Sequence, residues 1–379
     1  MPYLSPQSLL NTSWTIHRLS PLHHRKEFQT LVDNPDALKT YSKRLRNLLT
    51  GDVLRGVQVG LSGSDASSDA LSKAGALKEC LWGLIPTWSH WNEEQSVLED
   101  PDQEQLLVSA GDCLGILVTL EYEHVTYKAV LLAGPDGYHE TREGSTYLPV
   151  LLTRLPNPLR NTFVSFLSAN FDAFCSVIRL PSDFLCAALE AYIMAFTPAD
   201  GSDQSSNNTT RELLEEVLGG MQLTLAFSPP IAPALKALDV HLPKESLAAF
   251  VIDGSTIRQT DMPHRPSMPF LESLSSYFNK HLAMKLDLND SPGRCGTGSQ
   301  HVRLSKIACS AFVLSGEGRT KIIADAGRVT PVDNSVLTET EDPEERKNRL
   351  ILKANESILR ALIHRVIGRD MSEIQEKDT

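Results

Sequence analysis

The chain has 379 residues, of which 41% are hydrophobic and 22% are charged. This length exceeds one ordinary core and predicts either two domains or one large elongated domain. The formal net charge of −11 excludes a protein that coats nucleic acid through an overall basic surface, but it is compatible with a local basic groove.

Cysteine usage and hydropathy indicate the compartment. The six cysteines are scattered, without a CxxC pair or a zinc-ligand spacing to histidine, and we expect them to be reduced core residues. The N-terminus lacks the pattern of a signal peptide, and the apolar runs are too short to span a bilayer. The sequence therefore predicts an intracellular protein with no metal or cofactor.

The first clear element is an amphipathic helix from Asn34 to Thr50. Asn34 suits the N-cap, Pro35 suits the first helical position, and Gly51 suits the C-terminal end. One face of this helix is apolar, as expected for packing against a core; it carries Leu38, Tyr41, Leu45 and Leu48.

A second face of the same helix is basic. Lys39, Lys43 and Arg46 recur at helical spacing, and Arg18 lies close by in the sequence. Such side chains contact DNA phosphates without needing a sequence motif. The alternative is an ordinary solvated helix face.

The next segment is predicted to contain a strand from Val53 to Leu61 and then a flexible loop rich in Gly, Ser and Asp. A tryptophan cluster follows, with Trp82, Trp88 and Trp91. These side chains are either core anchors or part of a partner-binding patch.

The middle of the chain predicts a β-hairpin and two helices. Residues Ile116 to Tyr122 and Val125 to Leu132 are the two strands, separated by a short polar turn. A helix is expected from Asn157 to Phe174, and a second from Asp183 to Phe196 with Ser182 as its cap.

Residues 197–210 are almost entirely polar or turn-forming and predict a flexible linker. We therefore expect an N-terminal α+β domain over residues 1–196 that carries the basic helix. A C-terminal α+β domain over residues 211–379 would hold a partner-binding sheet and a long terminal helix. The fold class is α+β, with largely antiparallel sheets, packed helices and a two-part elongated architecture.

A strongly apolar run from Ala308 to Leu314 predicts a strand with both faces covered. The cover comes either from the chain's own domain or from a partner that pairs at a sheet edge. The candidate interface residues in and before this run are Val302, Leu304, Ile307, Phe312 and Leu314.

Enzymatic motifs are lacking: the sequence has no phosphate-binding loop, no HExxH and no nucleophile elbow. We therefore expect a protein that is not an enzyme. Two alternatives stay open, namely a generic intracellular adaptor and an enzyme whose active site is assembled from dispersed residues.

Several motifs along the chain carry a family resemblance. The segment Asn11 to His24 contains a short strand and an Arg-x-Ser-Pro-Leu turn, followed by the pair Arg44-Leu45 and the strand start Arg55-Gly56-Val57. The later segments Leu223 to Leu225 and Leu235 to Val240 continue the pattern. In these motifs the chain resembles the fungal branch of the centromere protein L (CENP-L) family.

The resemblance implies a non-catalytic inner-kinetochore scaffold subunit in the nucleus, at the centromere. Family members pair through their C-terminal sheet with centromere protein N (CENP-N). They belong to the constitutive centromere-associated network, which links centromeric chromatin to the kinetochore during chromosome segregation in mitosis. Carried onto this sequence, the pairing edge falls within Val302 to Leu314. The resemblance directs the search for contacts with centromeric DNA to the first half of the chain but names no residues there. The candidates Arg18, Lys39, Lys43 and Arg46 come from the basic residues described above.

Overall fold

The computed structural model describes residues 5–24, 27–32, 34–54, 73–87, 110–135, 137–139, 144–196, 204–227, 235–257, 268–286, 301–323 and 343–368. It has seven helices and a largely antiparallel set of strands over these residues, which confirms the α+β class. The chain divides into two compact units. The first comprises Met1–Ile178, Pro331–Ser335 and Leu362–Thr379, and the second comprises Arg179–Thr330 and Val336–Ala361.

The first unit is built on an antiparallel sheet in the order β1-β7-β5-β4-β3, with β8 pairing with the other side of β1. Strands β2 and β6 form a separate two-stranded sheet. The bounds are β1 Ser13–Leu19, β2 Leu22–His23, α1 Pro35–Leu54, β3 Leu77–Pro86, β4 Cys113–Tyr122, β5 Thr126–Leu132, β6 Ser145–Thr146, β7 Val150–Arg154, α2 Asn157–Phe171 and β8 Cys175–Val177.

The core of the first unit joins α1 and α2 to the sheet. Tyr41 of α1 packs against Phe171 of α2, with ring centroids 4.4 Å apart, and lies 6.4 Å from the ring of Trp82 on β3. All three side chains are buried. The prediction that Trp82 is a core anchor is therefore confirmed, whereas Trp88 and Trp91 lie outside the described residues.

Helix α1 begins as its sequence predicts but runs further. The Asn34 side chain accepts a hydrogen bond from the Ala37 backbone N–H at 3.0 Å, which is the expected N-cap. The helix passes through Gly51 and ends at Leu54, so the predicted strand start at Val53 is wrong. Gly51 does not end the helix because it lacks the positive φ that a glycine adopts at a helix C-terminus. The rest of that predicted strand lies outside the described residues.

The predicted hairpin is confirmed as β4 and β5, which pair antiparallel with Glu121 opposite Thr126. Helix α2 ends at Phe171, three residues before the predicted end, because Asp172 adopts a left-handed conformation that stops the helix.

The second unit has an antiparallel sheet in the order β10-β9-β12-β13-β14, and β11 pairs in parallel with β12. Its buried face packs against helices; Tyr192 of α3, for example, contacts Phe312 of β13 with ring centroids 4.8 Å apart. The bounds are α3 Ser182–Met194, α4 Gln204–Val217, β9 Gln222–Phe227, β10 Ala237–His241, α5 Lys244–Ile257, α6 Pro269–Leu282, β11 Lys285–Leu286, β12 His301–Ala308, β13 Phe312–Ser315 and β14 Arg319–Ile322. The last helix, α7 Pro343–Ile367, belongs to this unit up to Ala361 and to the first unit from Leu362 onward.

Two local predictions in this region need correction. Ser182 does not cap α3; instead its hydroxyl accepts a hydrogen bond from the Leu304 backbone N–H at 2.9 Å and ties the helix to β12. Of the predicted linker, the part from Gln204 onward is the start of helix α4. The domain bounds at residues 1–196 and 211–379, and the elongated two-part arrangement, stay predictions.

Candidate interaction surfaces

Strand β10 is the outer strand of the sheet in the second unit. It pairs antiparallel with β9, from Ala237 opposite Ala226 to His241 opposite Gln222, and no other described strand lies on its far side. An outer strand presents a row of backbone N–H and C=O groups that are able to pair with another chain. This part of the fold is therefore the first candidate interaction surface.

The ladder between β9 and β10 decides which backbone groups face outward. The N–H of Phe227 donates to the carbonyl of Lys236, and the N–H of Leu242 donates to the carbonyl of Met221. Since both groups of an antiparallel hydrogen-bonded residue point to the same side, the even-numbered residues of this strand face β9. The N–H and C=O groups of the odd-numbered residues point away from β9; they belong to Ala237, Asp239 and His241.

The solvent face of the same sheet carries a polar row across all five strands. The registers place Asp239, Thr224, Lys306, Ser315 and Arg319 opposite one another, in the order β10-β9-β12-β13-β14. Neighbouring strands are about 4.8 Å apart, so the two cations of this row are separated by about 10 Å. The row therefore runs from the acidic residue of the outer strand β10 to the cations of β12 and β14.

Two more cations flank this row. Arg303 lies opposite Ala226 and Lys321 lies opposite Val313, which places both on the same face as Lys306 and Arg319. Asp239 is the one acidic residue on that face within β9, β10 and β12 to β14. The solvent face therefore forms a basic sheet face, defined by Arg303, Lys306, Arg319 and Lys321.

The five residues predicted as the partner interface lie in the interior of this sheet. Each is 2% exposed or less. Strand β12 lies between β9 and β13, and β13 lies between β12 and β14, so the expected outer edge at these strands needs correction. The predicted single strand from Ala308 to Leu314 is wrong: β12 ends at Ala308, the chain turns back, and β13 begins at Phe312. The apolar run is covered by the chain's own domain, and a role in partner binding stays a prediction for Val302, Leu304, Ile307, Phe312 and Leu314.

The predicted basic helix face is on the surface. Lys39, Lys43 and Arg46 are exposed on α1. Their neighbour Arg44 turns towards Glu27 instead, with two N–O distances of 2.9 Å. DNA binding by these three cations stays a prediction.

Arg18 is also exposed, but its guanidinium is used within the first unit. Its Nε donates a hydrogen bond to the backbone carbonyl of Val366 at 2.6 Å, near the C-terminal end of α7. Basic side chains at this end of a helix satisfy its terminal carbonyls. Arg18 therefore has a structural role that the sequence did not reveal.

One buried acid organises the second unit. Both oxygens of Glu190 accept hydrogen bonds of 3.1 Å, from the backbone N–H groups of Phe270 and Leu271 at the start of α6. Burial raises the pKa of the Glu190 carboxyl from 4.5 to about 7, although the two N–H donors act in the opposite direction. The Glu190 carboxylate therefore holds the start of α6 in place, which is a structural role.

Two buried histidines have structural partners in the first unit. Nε2 of His17 lies 3.0 Å from the Thr153 hydroxyl, and Nε2 of His24 lies 2.6 Å from the Thr146 hydroxyl. Burial lowers the pKa of each imidazole to about 4, so both are neutral at physiological pH.

The described residues contain no group of three His, Cys, Asp or Glu that could hold a metal ion. Among the helices described, none combines the length and apolarity that a membrane span requires. Cys80, Cys113, Cys186 and Cys309 are buried and Cys175 is half-buried, all as free thiols. The predicted core position is confirmed for the four buried cysteines.

Sequence reasoning missed the basic sheet face, although a signal for it is present. Charged residues alternate with buried ones along β12 and β14. Arg303 lies between Val302 and Leu304, and Lys321 is next to Ile322. This period of two is typical of a strand with one solvated face. The predicted apolar run, Ala308 to Leu314, lies between these two charged segments and contains none of the four cations.

Comparison with known proteins adds the family. A search of curated proteins finds no match for this chain. The family model described as "CENP-L: Centromere protein L" matches residues 8–367, which is nearly the whole chain. The chain belongs to the centromere protein L family, and it is therefore a centromere and kinetochore protein.

Proposed function

We propose that this protein is a non-catalytic structural subunit of the inner kinetochore that pairs with a CENP-N-like partner and helps to link centromeric chromatin to the kinetochore. The family supplies the kinetochore context. The observation that carries the pairing is the outer strand β10, with backbone groups of three residues pointing away from β9. A strand of the partner adds to this sheet by main-chain hydrogen bonds.

The pairing edge is tested by removing backbone N–H donors that point away from β9 while keeping the hydrogen bonds between β9 and β10. Proline has no N–H, and it is tolerated on outer strands where that N–H faces outward. We therefore expect the double variant Ala237→Pro/His241→Pro to keep its fold and to lose most of its binding to the CENP-N-like partner. The measurement is capture of the co-expressed partner, with the melting temperature followed in parallel.

A matched control keeps both N–H groups and changes the same side chains, as in Ala237→Ser/His241→Gln. This control should bind the partner as the natural chain does. Equal partner capture by a folded proline variant and by the control would reject β10 as the pairing edge. Asp substitutions at Leu304 or Phe312 do not discriminate, because both side chains are buried and their replacement unfolds the unit.

The chromatin half of the proposal concerns DNA phosphates. Two surfaces are suited to them, namely the basic helix face with Lys39, Lys43 and Arg46, and the basic sheet face of the second unit. Lys306, Arg319 and Lys321 of the sheet face form no ion pair with a described residue, so their charges are available to an anion. The sheet face also lacks large exposed apolar side chains, which favours a polar, hydrated contact with phosphate over a protein hot spot.

A further inference from the structure

The outer strand β10 carries one charge whose position limits the strands able to pair with it. Asp239 lies at the centre of the five-residue strand Ala237–His241, and its side chain is on the solvent face. The hydroxyl of Thr224 on β9 donates a hydrogen bond of 2.6 Å to its carboxylate. The Thr224 carbonyl in turn accepts a hydrogen bond from the Ser305 hydroxyl on β12 at 3.0 Å. The carboxylate is therefore held in place beside the outer edge.

A second copy of this chain presents the same outer strand β10 and therefore competes for this edge with any other partner. Two copies of β10 pair antiparallel only when odd-numbered residues lie opposite odd-numbered ones, because these residues carry the outward backbone groups. The register that pairs all five strand residues places Asp239 opposite Asp239 and Ala237 opposite His241. Like charges directly opposite in a sheet are destabilising.

Other symmetric registers are available but shorter. A shift by two residues places Asp239 opposite Ala237 or His241, and it pairs only three of the five residues of the strand. Fewer main-chain hydrogen bonds then form across the edge. The longest self-pairing is therefore also the one with facing carboxylates.

We infer that Asp239 is the specificity-determining residue of this edge: it disfavours pairing with a second copy and favours a strand with Lys or Arg opposite it. A cation there would extend the polar row of the sheet, with Asp239 between Thr224 and the partner's positive charge. This inference rests on the proposed function for the identity of β10 as the pairing edge. It adds which chemistry the incoming strand must present.

The test uses the full chain with a reporter for edge-to-edge pairing. In the double variant Ala237→Cys/His241→Cys, the longest self-register places a new thiol of one copy opposite a new thiol of the other. Oxidised glutathione then forms disulfides between paired copies, and the yield of cross-linked dimer measures the population of this register. The same oxidation of the natural chain corrects for its own cysteines.

Adding Asp239→Asn to the reporter removes the facing charges and keeps the shape of the side chain. We expect about a fivefold higher yield of cross-linked dimer, which corresponds to the upper range for one cross-strand pair. The same yield with and without Asp239→Asn would overturn the inference. Hydrogen exchange of β9 and β10 confirms that both variants keep the sheet.

A mixing experiment tests the preference for a cation. The reporter is combined at equal amounts with a larger tagged reporter that also carries Asp239→Lys. We expect the mixed dimer to exceed the twofold excess over each self-dimer that random pairing gives, since only the mixed pair sets opposite charges against each other. A mixed yield at the statistical level would reject charge selection.

Both experiments use this chain alone, so they are independent of the partner. If the proline variants bind the CENP-N-like partner normally, the proposed pairing function fails, while the cross-linking still decides what Asp239 does at the edge.

Discussion

The backbone of α5 at Gly254 lies directly against the carbonyl oxygen of Pro269, the first residue of α6. A Cβ added at Gly254 would overlap this oxygen. The two helices approach so closely only because residue 254 has no side chain. The same Pro269 begins the helix whose next two N–H groups are held by Glu190. The start of α6 is thus fixed from two sides.

Gly254→Ala is expected to destabilise the second unit. The helices would have to move apart, at a cost of about 1–3 kcal/mol in the free energy of unfolding. The measurement is chemical denaturation followed by circular dichroism. Gly51→Ala in α1 is the matched control, because nothing lies within 4 Å of the added Cβ there. We expect the control to stabilise by about 0.5–1 kcal/mol through higher helix propensity. Equal effects of the two substitutions would contradict the close approach.

Glu190 makes the stability of the second unit depend on pH. Its folded pKa of about 7 lies above the ordinary value of 4.5. A raised acid pKa contributes stability that is fully present below the unfolded pKa and is lost as pH rises through the folded pKa. Relative to Glu190→Gln, the natural chain should therefore be more stable at pH 5 than at pH 8, by up to about 3 kcal/mol. Hydrogen exchange of α6 measures this, since the four tryptophans all precede residue 92.

If the difference in stability between the natural chain and Glu190→Gln is constant from pH 5 to pH 8, the Glu190 carboxyl does not titrate in that range. Glu245→Gln, on an exposed acid of α5, is the control for general charge effects.

His24 is expected to act in the opposite direction on the first unit. Burial lowers the pKa of its imidazole from 6.5 to about 4. The unfolded chain therefore binds a proton first, and the stability that this residue contributes above pH 6.5 is lost as pH falls towards 4. Tryptophan fluorescence during urea unfolding reports this unit. His24→Gln should reduce the loss between pH 6.5 and pH 4, whereas His124→Gln on an exposed histidine of the same unit should leave it unchanged.

DNA binding separates the two basic surfaces. The triple variant Lys306→Glu/Arg319→Glu/Lys321→Glu changes the sheet face, and Lys39→Glu/Lys43→Glu/Arg46→Glu changes the helix face. Each phosphate contact contributes roughly 0.9 to the slope of log affinity against log salt concentration, so loss of three contacts lowers the slope by about 3. Titration of labelled duplex DNA at several salt concentrations measures it. If both folded variants bind as the natural chain does, neither surface carries phosphate contacts.

The cleft between α1 and α2 is a feature of the first unit without an assigned role. It has a volume of about 640 Å³ and is lined on the α1 side by Arg44, Asn47 and Leu48. Apolar atoms of Phe166 and Ala169 contribute the α2 side. Nothing in the described residues indicates what covers it.

Local patterns determined much of this fold. The capping side chain of Asn34, the apolar spacing around Tyr41 and the β-rich runs of β4 and β5 each depend on neighbours within a few residues, and each predicted its element correctly. The end of α1 was missed because Gly51 is tolerated inside a helix when packing continues past it. Family membership was also readable, since it depends on motifs in sequence order.

The candidate surfaces were decided by the tertiary structure. An apolar strand such as β13 has the same local pattern whether its neighbour is another strand of the chain or a partner, and only the pairing order β10-β9-β12-β13-β14 shows that it lies between two other strands. That order joins residues 81 positions apart, as Ser305 and Thr224 are in their hydrogen bond, so no local window of sequence contains it. The sequence by itself determined the α+β class, the hairpin of β4 and β5, and the family to which the chain belongs. Long-range strand pairing decided which strand is outermost, because main-chain hydrogen bonds form in the same way whatever side chains the strands carry.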